Sequence, residues 1–340
     1  MADHAIVIGI NDYPGISRLD GPCNDADAFL KWVEAPGPGN VDSHNIHKLL
    51  APGLTPDDQV SSAQPFSDQI SQKFNDVMNG QPTAHIGDRL YVFVAGHGMS
   101  DINSAESTAL IAANARRTDI TLPHVVITEF IHYFRRSYTF KEIVLIMDCC
   151  RDANVLRPLN KPGILQGQPH PKAKEVRVFQ ANATVWSQKS FEKEFDGITR
   201  GIFSVTLMEA LEKAPTDDNK VTGKVIKNYI EQHIKTIAGD KDIEEPDISG
   251  KGHEHIVFFI RDQNQADQTA TAVKISVHVE NAVGDEVVEL YDGTRTRLEF
   301  KTATTGSVEF QVGAGLYKVV IQNTNRSALM EVVNDHEETI

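Results

Sequence analysis

The chain has only three cysteines, Cys23, Cys149 and Cys150, in 340 residues. An odd, small number gives no disulfide framework, and sequence neighbours such as Cys149 and Cys150 have the wrong geometry to bridge each other. A reducing cytosol is therefore the expected compartment. Basic charge is also scarce: 33 Lys and Arg stand against 47 Asp and Glu, a formal net charge of -14. No broad basic surface is left to neutralise phosphates, which argues against a general nucleic-acid binder. The same acidity would attract basic peptide segments. No apolar run approaches transmembrane length, so no membrane association is expected. The amino terminus, Met1-Ala2-Asp3-His4 and the brief run Ala5 to Ile10, lacks a basic n-region and a long apolar core. It reads as a strand and not as a signal peptide. The His and Cys spacings match no zinc pattern. No Gly-rich phosphate loop follows the first strand, where Asn11-Asp12-Tyr13-Pro14-Gly15 stands, and this weighs against a nucleotide-binding α/β protein.

Two apolar runs are present, and each ends in a reactive residue. Leu90 to Ala95 stops at Gly96-His97-Gly98, and Ile143 to Met147 stops at Asp148-Cys149-Cys150-Arg151. Both are short and apolar throughout, as expected of central strands buried on both faces of a parallel sheet. Ligands of open parallel sheets bind at the carboxyl edge of the strands. A His and a Cys placed there by neighbouring strands form a candidate base–nucleophile pair. Strand alternation points Cys149 and Cys150 in opposite directions. Cys150 is the expected nucleophile and His97 the proton shuttle, its flanking glycines leaving the ring open to substrate.

Around these runs strands alternate with helices, which implies right-handed crossovers and a parallel sheet. Helices are expected near Asn24 to Trp32, Ser67 to Met78, Val125 to Phe134, Gly201 to Leu211 and Val221 to Ile237. Further strands are expected at Ile46 to Leu50, Val176 to Gln180 and His255 to Ile260. Between Val155 and Lys174 the prolines and glycines Pro158, Pro162, Gly163, Gly167, Pro169 and Pro171 predict a long exposed loop. It carries Arg157, Lys161, Lys172 and Lys174. The expected division is an α/β domain over 1–262, a polar linker over 263–271 and a small antiparallel β-sandwich over 272–340. The last is read from period-two runs such as Val273 to Val279 and Leu316 to Ile321.

In their order along the chain, these pieces resemble the caspase and metacaspase family of cysteine peptidases. Ile6 to Asn11 with Asn24-Asp25-Ala26 looks like the family's first strand and helix. Gly96-His97-Gly98 matches its histidine motif, and Asp148-Cys149-Cys150 its Asp-x-Cys motif. Gly201-Ile202-Phe203-Ser204, leading into Leu207 and Leu211, looks like the helix near the end of the small-subunit segment. The resemblance covers roughly the first 260 residues. It implies a three-layer fold with a mostly parallel sheet, and an endopeptidase regulated by a signal or by processing. It further implies that Gly98 and the amide of Cys150 form the oxyanion hole. Asp25 and Asp148 fall where metacaspase aspartates select Arg or Lys at the residue before the cut bond (P1). The plainer alternatives are a helix cap for Asp25 and a strand-end acceptor for Asp148. Asp148 replaces the glutamine of animal caspases, which inverts the charge of the pocket. Three departures stand out: Ala95 replaces a frequent serine, Pro22 a frequent cysteine, and Arg151 resembles caspases more than metacaspases.

The expected substrate is thus a protein or peptide with a basic P1 residue, with a regulatory protein partner in addition. Processing is expected within the basic loop. No cofactor is expected. Asp101, Glu106 and Asp119 are scattered, whereas a hard divalent cation wants several convergent oxygens, so no calcium site is expected either. A catalytically silent scaffold working through its β-sandwich is the rival reading. The retention of both His97 and Cys150 separates the two. Involvement in bacterial stress or defence signalling follows from the resemblance alone.

Overall fold

Runs of Val, Ile and Leu set the frame of the first of two units, Met1–Ile260 and Arg261–Ile340. The computed structural model describes residues 2–78, 85–101, 104–150, 159, 161–164, 168–185, 190–216, 218–261, 273–280, 286–292, 297–303, 306–312, 315–322, 324, 326–332 and 336–340. In the first unit the strands are β1 (His4–Ile10), β2 (Ile46–Ala51), β3 (Gly87–Gly96), β4 (Gly98–Asp101), β5 (Ser104–Ile111), β6 (His124–Val126), β7 (Phe140–Cys149), β8 (Arg177–Asn182), β9 (Glu192–Phe195), β10 (Ile198–Gly201), β11 (Lys220–Thr222), β12 (Asp247–Ser249) and β13 (Val257–Ile260). The helices are α1 (Pro22–Glu34), α2 (Ser67–Met78), α3 (Ile127–Arg136), α4 (Ile202–Lys213) and α5 (Gly223–Ala238).

The central sheet has the order β12-β8-β7-β3-β1-β2 and is parallel except for β12. Alternate residues of each strand feed two cores. Ile6, Ile8, Val92, Val94, Leu145 and Met147 pack on one face with Ile70 and Phe74 of α2 and Phe130 and Phe134 of α3. Val7, Tyr91, Phe93, Val144 and Ile146 pack on the other with Phe29 of α1, Leu207 of α4 and Ile230 of α5. The result is a three-layer α/β fold. At about 25 cal/mol per Å² of apolar surface removed from water, these two cores are the main stabilising term. Glycine lets layer and sheet approach closely: a Cβ on Gly9 would lie 2.7 Å from the Pro22 carbonyl oxygen in α1.

Two expected helices begin later than the sequence suggests. The helix expected from Val125 begins at Ile127, because Val125 and Val126 pair with Leu110 and Ala109 of β5. The helix expected from Val221 begins at Gly223. Val221 is drawn into β11 opposite Phe259, and the Thr222 hydroxyl caps α5 by accepting from the Val225 N–H at 3.3 Å. Most described residues of the basic loop are exposed, as expected. Leu159 is buried and Ile164 packs against the core. Lys161 pairs with Glu129 of α3 at 2.6 Å, and Pro171–Lys174 form a 3-10 turn.

The second unit contains β14 (Val273–His278), β15 (Glu286–Asp292), β16 (Arg297–Ala303), β17 (Ser307–Val312), β18 (Gly315–Ile321), β19 (Ser327–Val332) and β20 (His336–Thr339). They form two sheets, β17-β14-β20 and β16-β15-β18-β19, around a core that includes Ile275, Val277, Leu290, Phe310 and Val319. One pairing departs from the all-antiparallel expectation: β20 runs parallel to β14. The linker expected over 263–271 lies outside the described residues.

Candidate active site

The register of the two central strands places the reactive residues. Gly96 of β3 is opposite Cys149 of β7, so His97 and Cys150 are the next residues on adjacent strands at the carboxyl edge. Adjacent strands lie about 4.8 Å apart. Both side chains line one cavity of about 140 Å³, together with Asp25, Asp148, Ser190, Glu192 and Gly201. Two larger hollows, of about 460 and 640 Å³, contain neither a cysteine nor a histidine.

His97 is held by the segment after β1. Its backbone N–H donates to the Tyr13 hydroxyl at 3.1 Å, and the Tyr13 hydroxyl donates to the Ile111 carbonyl at 3.2 Å. The two rings meet edge to face at 4.7 Å. The imidazole Nε2 lies 2.7 Å from the Ser17 carbonyl oxygen and 3.2 Å from the Ser17 hydroxyl. A carbonyl only accepts, so Nε2 carries the hydrogen and Nδ1 is the nitrogen left to take a proton. Burial holds the imidazole below its ordinary range; the Ser17 carbonyl opposes this and the charge of Arg117 adds to it. A neutral ring at neutral pH is the form a general base needs.

Cys149 and Cys150 separate as strand alternation requires. Cys149 is buried, and its sulfur would lie 2.6 Å from a Cβ placed on Gly98. Cys150 is half-buried at the cavity. The Ser190 N–H points at its sulfur at 3.3 Å, which supports negative charge there. Gly98 packs closely on both cysteines, with its would-be Cβ also 2.6 Å from the Cys150 carbonyl oxygen. A side chain at that position would push the two strands apart.

The floor of the cavity is acidic. Asp25 does not cap α1; Gly21 occupies the cap position, without a side-chain bond. The Asp25 carboxylate accepts from the Gly201 N–H at 2.7 Å and from Arg200 Nε. Asp148 accepts from the Ser190 hydroxyl at 2.7 Å, the Ser204 hydroxyl at 2.6 Å and the Ser204 N–H at 3.2 Å. Both carboxylates converge on Gly201, whose Cβ would stand 2.1 Å from Asp148 Oδ2 and 3.1 Å from Asp25 Oδ2. Burial, and then the charge of Asp148, push Asp25 up to about 7, against the pull of Arg200 and Gly201. Burial raises Asp148 as well.

A carboxyl raised in the folded state holds its proton more firmly than in the unfolded chain. Its stabilising contribution is complete below its ordinary value of 3.8 and is lost as pH rises through about 7. Asp25→Asn should therefore gain melting temperature relative to wild type between about pH 5 and about pH 8. A difference independent of pH in paired thermal melts would refute the assignment.

Of the other residues singled out in the sequence, Lys161, Lys172 and Lys174 lie away from this cavity. Lys161 is on Glu129, Lys172 is 5.7 Å from the Tyr138 ring centre, and Lys174 is in the 3-10 turn. Arg151 and Arg157 fall outside the described residues. Among the described residues no group of three or more His, Cys, Asp or Glu is arranged to hold a metal, and no helix is long and apolar enough to cross a membrane. Ser17, Ser190, Glu192 and Arg200 were not singled out by the sequence. They reach the site by folding, without a motif of their own.

No curated protein sequence matches the chain. Among solved structures it is similar to caspase-1 from Spodoptera frugiperda, with 14% identity and a TM-score of 0.48 over 77% of this chain and 91% of that one. It is also similar to pro-sf-caspase-1, with 12% identity and a TM-score of 0.41 over 73% and 90%. The sequence model of the caspase domain matches residues 2–250. With that match over most of its length, the chain belongs to the caspase domain family of cysteine peptidases.

Proposed function

We propose that this peptidase cuts after Arg or Lys through a Cys150–His97 dyad. The observation that carries the reading is the single cavity lined by His97, Cys150 and the two buried carboxylates Asp25 and Asp148. His97 Nδ1 takes the thiol proton, and the Cys150 sulfur adds to the scissile carbonyl. The N–H groups of Gly98 and Cys150 receive the developing oxyanion, as the family resemblance implies. The C–N bond then breaks as His97 returns the proton to the leaving amine. Water, deprotonated by the same ring, releases the acyl group from sulfur. A peptide library with each residue at P1 tests the preference, with Cys150→Ala as control. Cleavage concentrated after Asp would overturn it.

Regulation by processing belongs to the same proposal. The candidate cut sites Arg157, Lys161, Lys172 and Lys174 follow the nucleophile in a Pro- and Gly-rich stretch and are of the type the acidic cavity accepts. A protease needs an extended, accessible segment. Among the described candidates, Lys172 and Lys174 lie in an exposed turn and Lys161 in an ion pair. Mass spectrometry should find fragments ending at these residues in wild type and none in Cys150→Ala. A fully active wild-type chain that stays intact would show that processing is not the switch.

A further inference from the structure

We infer that Tyr13 is a positioning residue of the reaction: its hydroxyl replaces one rung of the β4–β5 ladder at His97, and so fixes the backbone that carries both the imidazole and the Gly98 amide. The inference rests on the proposed Cys150–His97 dyad.

β4 and β5 are antiparallel, with Gly98 opposite Leu110 and Met99 opposite Ala109. His97 and Ile111 are the next pair along this ladder. In a hydrogen-bonded antiparallel pair the two residues exchange both N–H···O bonds. Here only one is direct, from the Ile111 N–H to the His97 carbonyl at 2.8 Å. In place of the other stands the Tyr13 hydroxyl, which accepts from the His97 N–H at 3.1 Å and donates to the Ile111 carbonyl at 3.2 Å. A hydroxyl can fill both roles through a single atom. Tyr13 is wholly buried, and burial raises its phenol above the ordinary range, so it keeps its proton and stays a donor.

Gly96 has a φ of 151°, and a Cβ there would stand 2.5 Å from the Tyr13 oxygen. The chain passes the hydroxyl because residue 96 has no side chain. The same segment holds the ring, since Ser17 offers its carbonyl to His97 Nε2 at 2.7 Å. Backbone and imidazole are thus fixed at two separate points, and Nδ1 is the nitrogen left for the thiol proton. Tyr13 does not line the cavity. It acts through His97 and, one residue on, through Gly98. A misplacement of about 1 Å in such a site can cost about a hundredfold in rate.

The test is Tyr13→Phe, which keeps the buried ring and removes one oxygen. Two constants are independent of the fraction of enzyme that is active: KM, and the Ki of a peptide aldehyde matched to the best substrate. The Cys150 sulfur bonds to the aldehyde carbon as the C=O π bond opens, and the thiol proton passes to the former carbonyl oxygen, which then sits at the oxyanion site. Tyr13→Phe should lower kcat by about tenfold or more and weaken the aldehyde about as much, with KM within about twofold of wild type. His97→Ala, measured alongside, identifies which premise fails. If it keeps its activity, the dyad falls and this inference with it. If it is dead while Tyr13→Phe has the wild-type kcat and Ki, the dyad stands and the role of Tyr13 falls. A lower kcat with an unchanged Ki would mean fewer folded molecules, and would also overturn the role. Should Tyr13→Phe fail to melt cooperatively, Gly96→Ala decides. Its methyl group displaces the hydroxyl with every partner still present and should weaken the aldehyde likewise, whereas a wild-type Ki there would overturn the role.

Discussion

Cys150→Ala and His97→Ala should each lower kcat/KM on the best peptide by on the order of a thousandfold or more, since each removes one half of a unit that acts only as a whole. Neither should unfold the chain. Cys150 stands past the end of β7 and is half-buried, so its sulfur contributes little to either core. The neighbouring residue is the internal control. Cys149 faces inward against Gly98, and Cys149→Ala leaves only a small void, costing about 1 kcal/mol of stability with most activity kept. Steady-state kinetics on the three variants, each checked by thermal melting, decides the matter. A dead Cys149→Ala beside an active Cys150→Ala would reverse the assignment.

Neutralising Asp148 or Asp25 should cost on the order of 2 kcal/mol or more in transition-state binding of basic substrates, as when a buried charge pair loses one member. The two variants should differ in kind. Asp148→Asn turns two acceptors into one acceptor and one donor, opposite hydroxyls of Ser190 and Ser204 that can rotate to suit. Its loss should therefore fall on substrates and little on folding. Asp25→Asn strands the Arg200 guanidinium, whose Nη2 already has no hydrogen-bond partner among the described residues. An unpaired, half-buried cation repels a basic P1 side chain, so this variant should lose Arg and Lys peptides more completely than neutral ones. The ratio of kcat/KM for basic over neutral P1 peptides measures both. A ratio unchanged in both variants would remove the aspartates from the pocket.

The position of His97 and Cys150 was legible because the strands that carry them are apolar without interruption, and a buried strand can end only where its polar residues begin. Asp25 and Asp148 could be pointed to by resemblance, but two readings of Asp25 stayed open in the sequence. The geometry removes the helix cap, because the Asp25 carboxylate bonds to Gly201, 176 positions away, and not to its own helix. The partners that shape the cavity were not legible at all. Ser17 holds His97 across 80 positions, and Ser190 holds Asp148 across 42. A hydroxyl or carbonyl used in this way leaves no periodicity behind. The small strands were missed for a related reason. Val125 and Val126 look helical beside the amphipathic run of α3, and only the partner strand β5 claims them.

The hairpin of β9 and β10 turns through Asp196 and Gly197, both at positive φ as tight two-residue turns require. It and β8 follow the basic stretch, while β7 precedes it. The central sheet therefore spans any break made between them: Glu142 to Met147 of β7 remain paired with Arg177 to Asn182 of β8. The cavity walls are tied across the same gap by Asp148 to Ser204, Asp25 to Arg200 and Glu192 to Gly21. A severed chain would thus behave as two complementary fragments that share one sheet, with Phe179, Leu207 and Ile230 of the later fragment buried against the earlier one. The covalent link between nucleophile and hairpin is then dispensable for cohesion, and what a cut alters is the freedom of the two new ends.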